Sequence, residues 1–376
     1  MKLVTRLLLS VLALSAMPAV AQSKGEFIAY VGTYTRPNKS KGIYAWRFVP
    51  ATGKLTPIGL VGETVSPSFL AVSPDRKFLY AVNEIGNYKG EKAGSVSSFA
   101  IDAKSGMLKP LNTVSSRGDG PCHLAVDPTG KWLIVANYGG GSTAEYPIHA
   151  DGSLGEASAF VQHTGSSVDS ARQKGPHAHS TVFSPDGKLV FVNDLGLDKI
   201  LAYQVDGLKP ADPAFTKIAG GAGPRHLAFA PGGKFAYAIT EMTAGTVAFR
   251  YAGGKFEELQ SVPNLAADVA GKSGAEIAVH PSGNFVYSST RGANVITVFA
   301  VDRAKGTLTV VDRTPTQGKT PRNFAIDPTG AYLFAAHQDS DNIVVFKIDA
   351  KTGKLTPSGD VLEAGNPVCV TFIPAQ

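Results

Sequence analysis

The sequence predicts an all-β fold, a seven-bladed β-propeller in which the N- and C-terminal strands share one blade. Three observations predict it. A unit of about fifty residues recurs along the chain, each unit divides into four short alternating strands, and the units number seven only when fragments from both termini are combined.

The recurring phrase opens at Pro67 (PSFLAVSPDRKFLYAVNE), Pro121 (PCHLAVDPTGKWLIVANY), Pro176, Pro224, Gly274 and Pro321, at spacings of 46 to 55 residues, and a truncated copy, PVCVTFIP, opens at Pro367. In the unit from Pro67, residues 69–72 and 78–82 flank a Ser-Pro-Asp turn, and residues 95–101 and 108–114 supply a third and fourth strand. β-Branched and aromatic residues fill these runs, and Pro-Asp-Gly or Pro-Thr-Gly punctuates them, as hairpins require. The outer pair has its own repeated phrase: Phe99-Ala100-Ile101-Asp102 then Gly106, Phe299-Ala300-Val301-Asp302 then Gly306, and Phe346-Lys347-Ile348-Asp349 then Gly353. Residues 28–32, 42–49 and 54–61 form a unit without a first strand, and residues 368–374 are a first strand with nothing after it. Together they close the ring and hide the edges an open array would expose.

Residues 1–21 precede the fold. Lys2 and Arg6, the apolar stretch from Leu7 to Val20, and Ala19-Val20-Ala21 before Gln22 have the pattern of a secretory signal peptide, too short and wrongly flanked for a membrane anchor. An exported, periplasmic protein is expected, with residues 22–376 as a single propeller domain and no membrane anchor. The segment carries two cations and no acid, so its removal takes the net charge from +6 to +4. This mild excess, with no Lys/Arg block, argues against nucleic acid and suits a small anionic ligand held by a few arginines. Cys122 and Cys369 begin equivalent inner strands two blades apart, beyond disulfide reach, so two free buried thiols are expected.

A propeller places functional groups around its axis, and the repeat says where. With each unit anchored on its turn proline (Pro74, Pro128, Pro185, Pro231, Pro281, Pro328), Ser68, Cys122, His179, Arg225, Ala275 and Arg322 stand six residues before it. Nine and ten residues after it stand Asn83-Glu84, Asn137-Tyr138, Asp194-Leu195, Thr240-Glu241, Thr290-Arg291 and His337-Gln338. The first and second strands are antiparallel, so both sets reach the same mouth. That mouth is expected to gather His179, Arg225, His226, Arg322, Glu84, Glu241, Asp194, Arg291 and His337, with His123, His177 and Asn137 close by. Charged and imidazole groups there break the apolar pattern, on more blades than stability requires.

These residues resemble a known family. Val31-Gly32-Thr33-Tyr34-Thr35, Gly120-Pro121-Cys122-His123, Ala136-Asn137-Tyr138-Gly139-Gly140-Gly141-Ser142, Gly175-Pro176-His177-Ala178-His179-Ser180, Gly223-Pro224-Arg225-His226, Arg291-Gly292 and Pro321-Arg322-Asn323 are together similar to the seven-bladed-propeller lactonases. That family includes the propeller type of 6-phosphogluconolactonase and is related to the fungal carboxy-muconate cyclase. The resemblance implies hydrolysis of a sugar lactone without cofactor. It carries the family's histidine, two arginines and glutamate onto His179 (with His177 the alternative), Arg225, Arg291 and Glu241. His177, Arg322, His226, Asn137, Glu84, Asp194, His337 and His123 are the accompanying substrate-binding candidates.

Lactone opening needs an activated water, charge stabilisation on the carbonyl oxygen and a proton for the departing alkoxide. Glu241 or His179 serves as base with the other as acid, Arg225 or Arg291 faces the oxyanion, and the remaining arginines hold a phosphate or carboxylate. Other chemistries are weaker. His177-x-His179 has no spaced third ligand for zinc, and Asp339-Ser340-Asp341-Asn342 lacks the downstream glutamate of a calcium loop, so no metal is expected. Gly139-Gly140-Gly141-Ser142 lacks the end of a phosphate loop, and no Gly-x-Ser-x-Gly elbow is present. The competing readings are a non-catalytic binding propeller that uses the same arginines, and a cyclase acting on a muconolactone.

Overall fold

The computed structural model describes residues 25–36 and 39–376; the expected signal peptide lies outside them. Among these residues twenty-eight strands and no helix form seven four-stranded antiparallel sheets, each running from an innermost to an outermost strand. Six sheets are consecutive in sequence. The seventh pairs Phe27–Thr33 with the C-terminal strand Pro367–Pro374, from Phe27 opposite Pro374 to Gly32 opposite Cys369. Pro367–Pro374 also packs against the innermost strands on both sides, Pro321–Ile326 and Phe69–Val72, which closes the ring. Seven-fold closure through a shared terminal blade is as the repeat predicts.

The repeated phrases have local causes. Asp127 sits at the head of a turn, where Oδ1 accepts Lys131 N and Trp132 N, both at 2.7 Å, and Gly130 takes a φ of 73° that a side chain would strain. In the outer hairpin, the glycine of the recurring phrase meets the preceding blade. A Cβ on Gly306 would lie 2.2 Å from the Phe235 ring, and one on Gly353 2.6 Å from Phe285. Blades are held together by apolar seams. One joins Ile28, Tyr30 and Ile43 to Leu79, Ala81 and Phe99, all at most 2% exposed. Cys122 and Cys369 are buried and unbridged, as expected.

One departure from regular strands positions the site. Near the start of the inner strands Pro121–Val126, Ala178–Phe183, Pro224–Phe229, Gly274–Val279 and Pro321–Ile326, pairing with the second strand slips. The extra residue is Cys122, His179, Arg225 or Arg322 in four of them, and the slip spans Ala275 and Glu276 in the fifth. Pairing with Pro367–Pro374 slips in the same place, at Val368. Strict alternation would send Arg225 and His226 to opposite faces; a bulge re-aims the extra side chain, so both face the axis.

Tyr30, Tyr80, Tyr237 and Tyr287 occupy one position of the repeat and are fully buried. Tyr30 and Tyr287 donate to Gly106 O and Gly353 O of the next blade, at 3.0 and 2.7 Å, whereas the Tyr80 and Tyr237 hydroxyls have no hydrogen-bond partner among the described residues. Tyr287→Phe is therefore expected to lower unfolding free energy by about 1 kcal/mol, and Tyr237→Phe to leave it unchanged or raise it. Urea unfolding of the two variants followed by fluorescence checks the contrast.

Candidate active site

The side chains around the axis form three rings set by the repeat. Ten residues after the turn proline, Glu84, Tyr138, Glu241 and Arg291 line a cavity of about 410 Å³, and Tyr34 joins them from the closing blade. Six residues before it, Cys122, His179 and Arg322 line the same cavity. Beneath lies a second cavity with room for a single water, lined by Ser68, Phe69, Cys122, His179, Arg225, His226, Glu276, Arg322, Asn323 and Val368.

Glu241 is the hub. Its Oε1 accepts Arg172 Nη2 at 2.8 Å, and its Oε2 meets Arg225 Nε at 3.1 Å and Arg291 Nη2 at 2.8 Å. Burial acts to raise its pKa, but Arg291, Arg225 and Arg172 more than offset this and hold the carboxyl at about 2. Arg225 is 2% exposed, and burial with the neighbouring Arg291 and Arg322 lowers it to about 10, so it stays charged at neutral pH. Arg322 differs from the other three. Its guanidinium stands 5.4 Å over the Tyr34 ring and makes no hydrogen bond or ion pair with a described residue. Tyr34 in turn donates to Glu84 Oε2 at 2.9 Å.

His179 is 4% exposed, between Tyr138 and His226 at ring separations of 5.5 and 5.1 Å, and its Nδ1 has no hydrogen-bond partner among the described residues. Burial first, then Arg225, His226, Arg322 and Arg291, lower its pKa well below the usual value, so the imidazole is neutral. Burial pushes the Cys122 thiol far up, which keeps it protonated and a poor nucleophile.

The remaining sequence candidates are placed differently. His226 and His123 lie one layer down, with His123 stacked on Phe69 at 3.9 Å. His177 stacks behind Tyr138 at 4.7 Å, with Nδ1 3.0 Å from Tyr138 O, so the two histidines of His177-x-His179 do not act as a pair. Among the described residues no three His, Cys, Asp or Glu side chains are grouped to hold a metal ion. Asn137, Asp194 and His337 stand nine residues after the proline, where the pleat turns them into the blades and away from the cavity. Asn137 Nδ2 donates to Ser116 O at 3.0 Å, and Asp194 receives His177 N at 2.8 Å and lies 2.7 Å from His163 Nδ1. His337 is fully buried against Gly318.

Five wall residues, Tyr34, Cys122, Tyr138, Arg172 and Ser273, lie outside the sequence candidates. Tyr34 and Tyr138 were legible, since they hold the ten-after position, but an aromatic residue in a β protein is unremarkable there. Arg172 and Ser273 come from connections between blades, where the repeat sets no register. The Arg172 connection is long and tied down: Gln173, fully buried, donates to Leu195 O at 2.8 Å, and Ser167 Oγ donates to Asp198 Oδ2 at 2.6 Å.

A carboxyl whose folded pKa lies below its unfolded value stabilises the fold above the unfolded value and loses that contribution as pH falls toward the folded one. Glu241→Gln is expected to cost about 3 kcal/mol at pH 7, with the gap to wild type closing as pH drops from 4.5 to about 2. Chemical unfolding of both proteins across that range measures it.

Comparison with known proteins fits this arrangement. The family described as "Lactonase, 7-bladed beta-propeller" matches residues 28–372. A 6-phosphogluconolactonase of Bacillus subtilis is 35% identical over 296 residues, 78% of this chain and 83% of the relative. The crystal structure of a putative 6-phosphogluconolactonase from Bacteroides fragilis superposes with a TM-score of 0.88 at 38% identity, covering 95% of this chain and 100% of that one. The periplasmic gluconolactonase of Pseudomonas aeruginosa does so with a TM-score of 0.88 at 34% identity, covering 93% and 100%. With its seven sheets, shared terminal blade and matched residues, the chain belongs to the seven-bladed β-propeller lactonase family.

Proposed function

We propose that the protein hydrolyses a sugar lactone in the 410 Å³ cavity, with His179 as the base that activates water. The observation that carries the reading is a neutral, buried imidazole among four guanidiniums at one mouth. Glu241 is unsuited to take a proton, since three arginines already hold it ionised. His179 draws a proton from water as the oxygen attacks the lactone carbonyl. The charge that develops on the carbonyl oxygen falls beside Arg225 and Arg291, whose positions Glu241 fixes. As the ring C–O bond breaks, the imidazolium returns the proton to the departing alkoxide, leaving the open-chain acid. No covalent intermediate is needed.

Arg322 is the candidate receptor for an anionic group on the substrate. It makes no hydrogen bond or ion pair with a described residue, so its planar fork is open to a phosphate or carboxylate, while Glu84 and Glu241 favour its charged form. Relatives named for the phosphorylated and the unphosphorylated gluconolactone both fit a site with one such arginine to spare. Export to the periplasm is part of the proposal. It rests on the pattern of residues 1–21 and on the periplasmic relative.

Purified protein is expected to accelerate hydrolysis of gluconolactone, its 6-phosphate or both; ligand binding with no turnover of any lactone would favour the binding-propeller reading. Because the His179 pKa is lowered, kcat/KM is expected to stay level as pH falls through 6.5, with its acid limb well below, and His179→Asn to lower kcat by about a hundredfold. A pH-stat assay from pH 7 to 4 checks both. Arg322→Ala is expected to raise KM for the 6-phosphate more than for the unphosphorylated lactone, a difference that steady-state kinetics on the two substrates reads directly.

A further inference from the structure

Beneath the 410 Å³ cavity runs a largely buried hydrogen-bonded belt along the small second cavity. It starts at the backbone N–H of Val370 on the C-terminal strand, which donates to Asn323 Oδ1 at 2.9 Å. Asn323 Nδ2 donates to Glu276 Oε2. Glu276 Oε1 also receives Ile277 N at 3.0 Å and lies 2.8 Å from His226 Nδ1. The other nitrogen of that ring, Nε2, lies 3.4 Å from Arg225 Nη1. Asn323, Glu276, His226 and Arg225 are 5, 8, 6 and 2% exposed. The belt therefore crosses the inner strands of four blades and ends on a guanidinium of the proposed oxyanion site.

The donor and acceptor roles leave one consistent arrangement. Asn323 N–H and Ile277 N–H already point at the Glu276 carboxylate, so His226 facing the same group offers Nδ1–H. Burial lowers the His226 pKa, against the pull of Glu276, and the ring is neutral. A neutral ring protonated on Nδ1 presents its Nε2 lone pair to Arg225. Arg225 is then held on three sides: Nε on Glu241 at 3.1 Å, Nη1 on Ala275 O at 2.5 Å, and Nη1 facing His226. The opposite tautomer would aim an N–H at the guanidinium and repel it.

We propose that Glu276 and Asn323, acting through His226, are positioning residues that fix the Arg225 guanidinium at the cavity floor. The kinetic consequence rests on the lactonase reading; the tautomer does not. Glu276→Gln keeps the volume but offers one oxygen to three donors, so the His226 proton is no longer dictated.

The test is a double-mutant cycle joined to histidine 15N NMR. Glu276→Gln is expected to lower kcat about tenfold with KM changed by less than about twofold, and to add less than about twofold in an Arg225→Ala background. Arg225→Lys supplies a second background and Glu276→Asp a second variant should either parent fail to fold. In the wild-type spectrum His226 is expected as the Nδ1–H tautomer, with the Nε2 resonance moved by Arg225→Ala. A Glu276→Gln loss that multiplies in full on Arg225→Ala, or an Nε2–H tautomer in the wild type, overturns the proposal. A wild type that turns over no lactone removes the functional reading instead, and the NMR result still decides the positioning claim.

Discussion

Everything at the axis depends on one strand pairing, Phe27–Thr33 against Pro367–Pro374. Six consecutive blades would make an open crescent with an exposed edge at each end. The shared blade turns it into a ring, and only a ring brings side chains from several inner strands to one small volume. Closure also contributes chemistry directly. Tyr34, just past the first of these strands, forms part of the cavity wall, and Val368 lines the layer below. Val370 N anchors the belt that reaches Arg225. Loosening of the terminal strand and disturbance of the site are thus two views of one event.

The fold was legible because its cause is periodic. The turn and the inward alternation recur from unit to unit, and the blade-to-blade glycine in most of them, so the sequence repeats them. The site was legible to the extent that it obeys the same register. Positions six before and ten after the turn proline were visible, and they supply His179, Arg322, Glu84, Glu241 and Arg291. The position nine after was visible too and misleading: Asn137 and Asp194 carry polar groups because they tie blade segments together, and His337 is buried inside its blade. Separating the two requires knowing which face of the second strand meets the axis. Alternation alone leaves that face unassigned.

Two kinds of residue lay beyond that reading. Arg172 and Ser273 belong to connections, and no repeat constrains them. The bulge was hidden for a different reason. It is a property of pairing between strands and leaves no fixed residue type in the sequence: the extra residue is Cys122, His179, Arg225, Arg322 or Val368. Its effect is to bring neighbours in sequence to one surface, and that is how Arg225 reaches Glu241 while His226, the next residue, also faces the axis.

The choice of base left open by sequence is a problem in how two groups respond to the same field. Glu241 and His179 both face the cluster of arginines, and positive charge lowers the pKa of each. For a carboxyl this entrenches the charged form and removes its basicity. For an imidazole it entrenches the neutral form, which is the one with a lone pair to give, and burial acts in the same direction. The cluster therefore separates the two roles without any difference in their distance from a substrate. Glu241 becomes the fixed counter-charge that lets three guanidiniums share a small volume, and His179 remains the group able to accept a proton. An imidazole held neutral by neighbouring arginines is a weak base. In the proposed mechanism the substrate is a sugar lactone, an activated ester, which asks less of a weak base when arginines stand ready to stabilise the oxyanion.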